Sequence, residues 1–396
     1  MLFGRRSIIP GSTVTALLFP SPAVLLSLSL RSINHLALTD QPALRSAIQN
    51  GAKALAEKLR GLHYRDLPLS SYGQNYYAYD LRKLDYMLRS YSVMLYDSII
   101  LSGKDIGEVS VLDHGGGIGI FSLLAKSCGV GTVICQDINP GISKDAATVA
   151  KALGINVDHF VSGDTKDFVQ YVKEKKLEVD ILGSRNVIEH VYDINVFLSE
   201  VRELPSDKLI LYISTTANMK NPLVNRYTRG IHRNYEFNGK PEEWGKKGFV
   251  PGTSCLEIRK KIIKEKFPTL SETELKELSA RTRGLMINSI YAKVEAYLQS
   301  KKFPAPIADP TNTCDPFTGN WAEHLVPLED YRKAAEANGF SFDYKSGFYN
   351  TNYPQKILNA VTPLLNACIR LLGKRGLFLA PFMSMILVSG KGKRSE

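Results

Sequence analysis

Apolar residues along this chain fall into two spacings that alternate in an orderly way from residue 109 onward. Short runs at Val109 to Leu112, Thr132 to Gln136, His159 to Ser162, Leu177 to Ser184 and Lys208 to Ser214 have the length and content of buried strands. Helix-like stretches lie between them, Ile120 to Lys126 and Ile142 to Leu153, the latter closed by Gly154. Strands that alternate with helices predict an α/β protein with a largely parallel sheet. Ahead of the first strand, Ala43 to Leu59 reads as a helix, Tyr64 to Asn75 as a loop, and Asp80 to Ser102 as a second helix. Its apolar stripe runs through Leu81, Leu84, Met87, Leu88, Tyr91, Met94, Leu95, Ile99 and Ile100.

The turn after the first strand carries the most specific chemistry. Asp113 is followed by His114 and then by Gly115, Gly116, Gly117, Ile118 and Gly119, with a helix behind them. Glycines there let the backbone turn tightly and let a ligand approach without an intervening Cβ. The helix N-terminus adds unpaired N–H groups and the positive end of a dipole. A dinucleotide fingerprint needs G-x-G-x-x-G, but counting from Gly115 its third glycine position holds Ile120, and counting from Gly116 its second holds Ile118. Asp137 ends the second strand about twenty residues past the glycines, where a carboxylate can accept from ribose hydroxyls.

The pattern D-x-G-x-G-x-G resembles motif I of the class I S-adenosylmethionine-dependent methyltransferases. Asn186-Val187-Ile188-Glu189-His190-Val191, leaving the fourth strand, resembles the V-[IL]-E-H exit of their small-molecule branch. Downstream, Pro327 to Phe340 resembles the late helix of that superfamily and its entry to strand six, and Phe382 to Val388 would be strand seven. The resemblance covers about Val109 to Thr216 and Leu325 to Gly390. It implies a doubly wound, seven-stranded, mostly parallel Rossmann-like sheet with a helical lead-in, and S-adenosylmethionine as cofactor. Asp113, Gly115, Gly117 and Gly119 would underlie the methionine part. Asp137 would hold the ribose and Ile138 would lie against adenine, with Asp164 near its amine. Asn186 would sit near the amino-acid end, and His114 would face the cofactor or the lead-in helix. The alternative for Asp137 is a helix N-cap ahead of Ile142. Tyr72, Tyr76, Tyr77 and Tyr79 either close over adenosine or substrate, or pack under the lead-in.

Two departures from the family pattern concern the acceptor. The connection of about a hundred residues from Asn218 to His324 is far longer than an ordinary loop. Helices are expected at Cys255 to Phe267, Glu272 to Arg281 and Thr282 to Gln299, the second opened by a Ser271/Glu274 capping box. Polar-aromatic stretches flank them at Tyr227 to Tyr235 and Asp315 to His324. This insertion reads as a substrate cap, because ligands of open α/β sheets bind outside the carboxyl ends of the strands. The second departure is Lys356 to Leu372, an amphipathic helix with Pro363 inside it, followed by an apolar run from Gly376 to Val388 too short to span a bilayer. It reads as a core cover, a greasy wall for an apolar substrate, or a contact with a membrane surface. The resulting division is 1–40 leader, 41–108 lead-in, 109–217 cofactor-binding half, 218–324 cap and 325–396 end of the core.

Bulk properties narrow the partners. An apolar content of 44% suits a globular enzyme, and the net charge of +11 is spread in small groups such as Lys173 to Lys176, Lys260-Lys261 and Lys391 to Arg394. No nucleic-acid-binding signature accompanies it, so nucleic acid is not expected as a partner. Cys128, Cys135, Cys255, Cys314 and Cys368 form no C-x-x-C pair, and the histidines form no H-x-x-x-H pair, so neither disulfides nor a metal are expected. The leader has Arg5, Arg6 and an apolar stretch from Val14 to Leu30 interrupted by Pro20 and Pro22. It reads as targeting, membrane-touching or disordered. The expected place is the cytoplasm, with membrane association open; the oligomeric state is open too.

The expected activity is methyl transfer to a hydroxyl of a small organic, lipid-like or sugar-linked acceptor. His190, His232 and His324 are the candidate bases. Two other readings stand beside it: a dinucleotide-using dehydrogenase, and a non-catalytic cofactor-binding or membrane-scaffold protein.

Overall fold

The computed structural model describes residues 40–239, 252–306 and 311–390. The leader and the basic end at Lys391 to Arg394 lie outside the described residues. Seven strands form one sheet: β1 (Ser110–His114), β2 (Thr132–Asp137), β3 (His159–Ser162), β4 (Ile181–Arg185), β5 (Ile210–Thr215), β6 (Phe340–Ser346) and β7 (Met383–Ser389). Their order is β3-β2-β1-β4-β5-β7-β6. The first five strands pair in parallel and β7 runs antiparallel to both its neighbours. This is the doubly wound architecture the alternating pattern predicts. The register brings His114 level with Gln136 and Ser184, so the ends of β1, β2 and β4 share one edge.

The lead-in supplies α1 (Pro42–Gly61), α2 (Ser71–Leu81) and α3 (Leu84–Ser102). Two expectations are corrected here. Ser71 to Asn75 is helical rather than loop, because the Ser70 side chain caps α2 by accepting from Gly73 N at 2.9 Å. Asp80 to Ser102 is broken at Arg82-Lys83, which divides α2 from α3. α3 packs on β4 and β5, α4 (Ile120–Ser127) beside it on β1 and β2, and α5 (Pro140–Ala152) on β2 and β3. Gly183 lets that face close tightly, since a Cβ there would come within 2.3 Å of the Phe121 ring. The opposite face carries α6 (Thr165–Glu174), α7 (Ile194–Val201) and α12 (Leu328–Ala337). Leu112, Leu182, Phe168, Phe197, Val201, Tyr331 and Met385 interlock there in the main core.

The 218–324 segment contains α8 (Pro222–Phe237), α9 (Cys255–Lys266), α10 (Glu272–Arg281) and α11 (Ile287–Ser300). The predicted capping box at Ser271/Glu274 opens α10. The polar-aromatic stretch Tyr227 to Tyr235 belongs to α8: Asn221 caps it and Pro222 pre-sets its first turn. Ile263, Leu275, Leu278, Ile290, Val294 and Tyr297 give the segment a small core of its own. A buried ion pair joins its halves. Arg259 meets Glu236 through both terminal nitrogens and donates from Nε to Ser279 O at 2.9 Å. α13 (Lys356–Leu372) spans the predicted amphipathic helix. Among the described residues no helix is long and apolar enough to cross a membrane.

Candidate functional site

The glycine turn is built by hydrogen bonds that the strand ends supply. Gly115, Gly117 and Gly119 have φ of +67°, +56° and +83°, the left-handed region. Asp113 does not point into the space above the turn. Its Oδ2 accepts from Ser122 N at 3.0 Å and Ser122 Oγ at 2.7 Å, tying β1 to the first turn of α4. Burial raises the Asp113 carboxyl to about 7, against the pull of those Ser122 bonds. Gln136 completes the scaffold. Its Oε1 accepts from His114 Nδ1 at 2.6 Å and from Gly115 N, and its Nε2 donates to Gly163 O at 2.6 Å. A buried glutamine ending an apolar strand was the sequence signal for this role, which the motif reading missed. His114 corrects its expected direction: its ring lies against Phe168 and Phe197, on the sheet face away from α3, and burial lowers it to about 4.

Asp137 is half-buried at the end of β2. Its Oδ2 accepts from Gly117 N at 3.0 Å and its Oδ1 from Asn139 N at 2.9 Å. The N-cap of α5 is Asn139, so the alternative role for Asp137 fails. Ile138 beside it is 71% exposed, an apolar side chain at the rim. Asp164 is the N-cap of α6, where Oδ1 accepts from Lys166 N and Asp167 N in a capping box; capping explains that acid without a ligand. Above the turn, Tyr76 of α2 lies so close that a Cβ on Gly117 would stand 3.0 Å from its ring. Tyr77 instead packs, buried, with its hydroxyl on Leu59 O and its ring stacked on Tyr64, the packing role expected of the cluster.

The β4 exit holds the second group. Asn186 has φ of +58°; its N–H donates to Ser214 O at 2.8 Å and its Oδ1 accepts from Thr216 N, holding the exits of β4 and β5 together. Arg185, just before it, faces α3, with its guanidinium 5.7 Å from the Tyr86 ring centre and 5.8 Å from that of Tyr91. Burial disfavours its charge, but Tyr91, Tyr86 and Asp80 more than restore it. Arg185 was missed in the sequence; a lone cation closing an apolar strand was the available signal. Glu189 is buried with Oε2 unpartnered and Oε1 3.5 Å from Thr216 Oγ1, and burial raises it to about 7.

The candidate bases separate. The backbone of 313–324 docks on the β4 exit: Trp321 N donates to His190 O, the His190 ring meets Trp321 O at 2.8 Å, and His324 N donates to Glu189 O. Tyr192, Trp321 and His324 stack in sequence at 5.2 and 4.6 Å between ring centres. His190 and His324 thus share one wall. His232 does not qualify as a base. Its Nδ1 accepts from Thr313 N at 3.0 Å, which leaves Nε2 to donate to Glu323 O at 2.9 Å, so both nitrogens hold backbone.

No family model matches the chain, and neither does any curated protein. Similar solved structures include a SAM-dependent methyltransferase from Archaeoglobus fulgidus, with 15% identity, 76% of this chain and 94% of that one covered, and a TM-score of 0.34. They also include the YcgJ protein from Bacillus subtilis, with 14% identity, 76% and 99% covered, and a TM-score of 0.34. A SAM-dependent methyltransferase from Agrobacterium tumefaciens matches at 17% identity and TM-score 0.24 over 31% of this chain, and this chain spans only 43% of its length. At these values the fold rests on the chain's own strand order, and the activity on the site.

Proposed function

We propose that this chain is an S-adenosylmethionine-dependent methyltransferase acting on a hydroxyl of a small organic, lipid-like or sugar-linked acceptor. The observation that carries the reading is the Asp137 carboxylate. Two backbone N–H groups fix it at the carboxyl edge of the sheet, beside the glycine turn and the exposed Ile138. A carboxylate at that edge accepts at both oxygens, the chemistry a ribose diol calls for. The residues fit the cofactor: Asp137 at the sugar, Ile138 against the base, the glycine turn below, and Asn186 with Arg185 toward the amino-acid end. Glycine turn and helix N-terminus both suit a polar ligand that must approach backbone.

When bound, S-adenosylmethionine supplies a methyl group on a positively charged sulfur. The protein's share is then orientation and exclusion of water, and orientation alone can be worth roughly 7–11 kcal/mol in favourable cases. Tyr76 over the turn and the Tyr192–Trp321–His324 stack at the β4 exit are the groups that would close the site. His190 and His324 are the residues we assign to take the acceptor proton. Docking of the 313–324 backbone on the β4 exit supports an enclosed, small-molecule acceptor, and cytoplasmic placement accords with such a substrate.

Calorimetry with the full chain tests the cofactor. S-adenosylmethionine should bind and NADH should not, and Asp137→Ala should weaken binding by about tenfold or more, the value of one or two hydrogen bonds to a charged group. Absence of S-adenosylmethionine uptake by folded protein would overturn the assignment. Uptake without methyl transfer to any hydroxyl-bearing acceptor would leave a binding protein.

A further inference from the structure

The helix α13 faces the wrong way for a part of a globular core. Its buried residues are Thr362, Asn366 and Ile369, two of them polar. Its apolar residues point outward: Ile357 is 73% exposed, Leu364 68% and Leu371 88%, with Val361 and Leu358 also exposed. Ile357, Val361, Leu364 and Leu371 recur at the spacing of one helical stripe. The inward side is held by amides together with one core residue, Ile369. Asn366 clasps the backbone of Tyr349, accepting from its N–H at 2.7 Å and donating to its carbonyl at 3.0 Å. One face-repeat earlier, Asn359 clasps Tyr353 in the same way, at 2.6 and 2.9 Å. The helix is thus fixed to the protein by paired polar contacts that leave its apolar stripe outside.

Along the chain the charge next to the stripe has one sign, and the acid that reaches this end, Asp343, is paired with Lys374. From Tyr344 to Gly390 there is no Asp or Glu. Lys356 stands exposed at the start of the helix, and Arg370 and Arg375 stand exposed at its end. Phe378, 49% exposed, continues the apolar surface past Leu372. An exposed apolar stripe flanked by cations, on a helix already fixed by its other side, is the chemistry that an anionic lipid surface recognises. Acyl chains take the stripe, and lysine and arginine heads reach the phosphates while their stems lie along it.

We propose that α13 docks this protein on an anionic membrane surface, lying in the interface plane. The proposal is independent of the methyl-transfer reading. It is tested by co-sedimentation of the full chain with vesicles of phosphatidylcholine alone or mixed with phosphatidylglycerol, alongside sedimentation velocity without lipid. The chain should pellet with the anionic vesicles, weakly or not at all with the neutral ones, and less as salt rises. The exposed pair Val361→Ser/Leu364→Ser should reduce binding roughly tenfold or more, and Arg370→Gln/Arg375→Gln should reduce it severalfold, with unchanged circular dichroism. Three results would overturn the proposal: no binding to anionic vesicles, binding that the Val361→Ser/Leu364→Ser variant retains in full, or a lipid-free dimer that this variant dissolves. The last would make a second copy of the chain the occupant of the stripe.

Discussion

The glycine turn and the β4 exit share one sheet edge, yet they are assembled from opposite kinds of contact. At the turn, partners are close in sequence: Asp113 and Ser122 are 9 apart, Gly117 and Asp137 20, His114 and Gln136 22. At the β4 exit, bonds of Asn186 and Glu189 to Thr216, 30 and 27 residues on, are joined by far longer ones: His190 and Trp321 are 131 residues apart. His232 and Thr313, which brace the same arriving segment, are 81 apart. The end assigned to the cofactor is therefore self-contained, whereas the end assigned to chemistry forms only when the 218–324 segment arrives. A turn that carries its own partners can keep its shape while the surrounding structure changes. An exit whose partners come from elsewhere can take a new acceptor by changing them.

The sharpest way to break this difference is to loosen the segment that arrives. Arg259→Ala takes from Glu236 the partner that meets both its oxygens, in a site where the arginine is fully buried and the glutamate nearly so, and leaves it Arg283 at 3.7 Å and the Thr313 hydroxyl at 3.3 Å. Leaving one member of a buried pair costs about 3–5 kcal/mol. Chemical denaturation should show a loss of that size, or an early separate transition for the cap segment. S-adenosylmethionine affinity in the remaining folded protein should change little, because Gln136, Asp137 and Ser122, which hold the glycine turn, lie outside that segment. Equal loss of affinity would mean that the two ends are one unit.

Legibility follows the same division. Strands and the turn could be read because each rests on local spacing: an apolar run, an acid, glycines, and an acid about twenty residues on. The α10 capping box was legible for the same reason. The α2 helix was not, since Tyr72, Gly73 and Asn75 have weak helical preference and the helix depends on the Ser70 cap and on Asp145 of α5. His232 was indistinguishable from His190 in sequence; only the positions of Thr313 and Glu323 reveal that its ring is held at both nitrogens. The outward stripe of α13 was visible as amphipathic, but its direction was fixed by two asparagines whose backbone partners no spacing rule predicts.

The β4 exit should also respond to pH. Burial raises Glu189 from 4.5 to about 7. Between those values the folded protein keeps a proton that the unfolded chain has lost, so this group lowers stability as pH rises from about 4.5 to about 7, and is level on either side. Glu189→Gln removes the titration. Measured by urea denaturation, the variant should gain on the parent by on the order of 3 kcal/mol between pH 4.5 and pH 8. Asp113 titrates in both proteins and cancels in the difference. A constant difference across that range would place an ionised Glu189 in the folded protein and overturn the raised value.

The smallest effect is expected at the point where the lead-in is attached to the glycine turn. Ser70 caps α2 through its oxygen, and both its N–H and its hydroxyl are held by Asp145 of α5. Gly73 seals the joint, because a Cβ there would overlap the Asp145 carboxylate at 2.1 Å. This joint positions α2, and α2 places Tyr76 against Gly117. Ser70→Ala should cost about 1 kcal/mol of stability, the usual value of a lost cap. The informative readout is kinetic: if α2 is a cover rather than part of the floor, S-adenosylmethionine should leave the Ser70→Ala protein severalfold faster, with the association rate little changed. The Asp137 contact would be intact in that variant, so an unchanged dissociation rate would show that the self-contained end of the site extends no further than the turn and its own carboxylate.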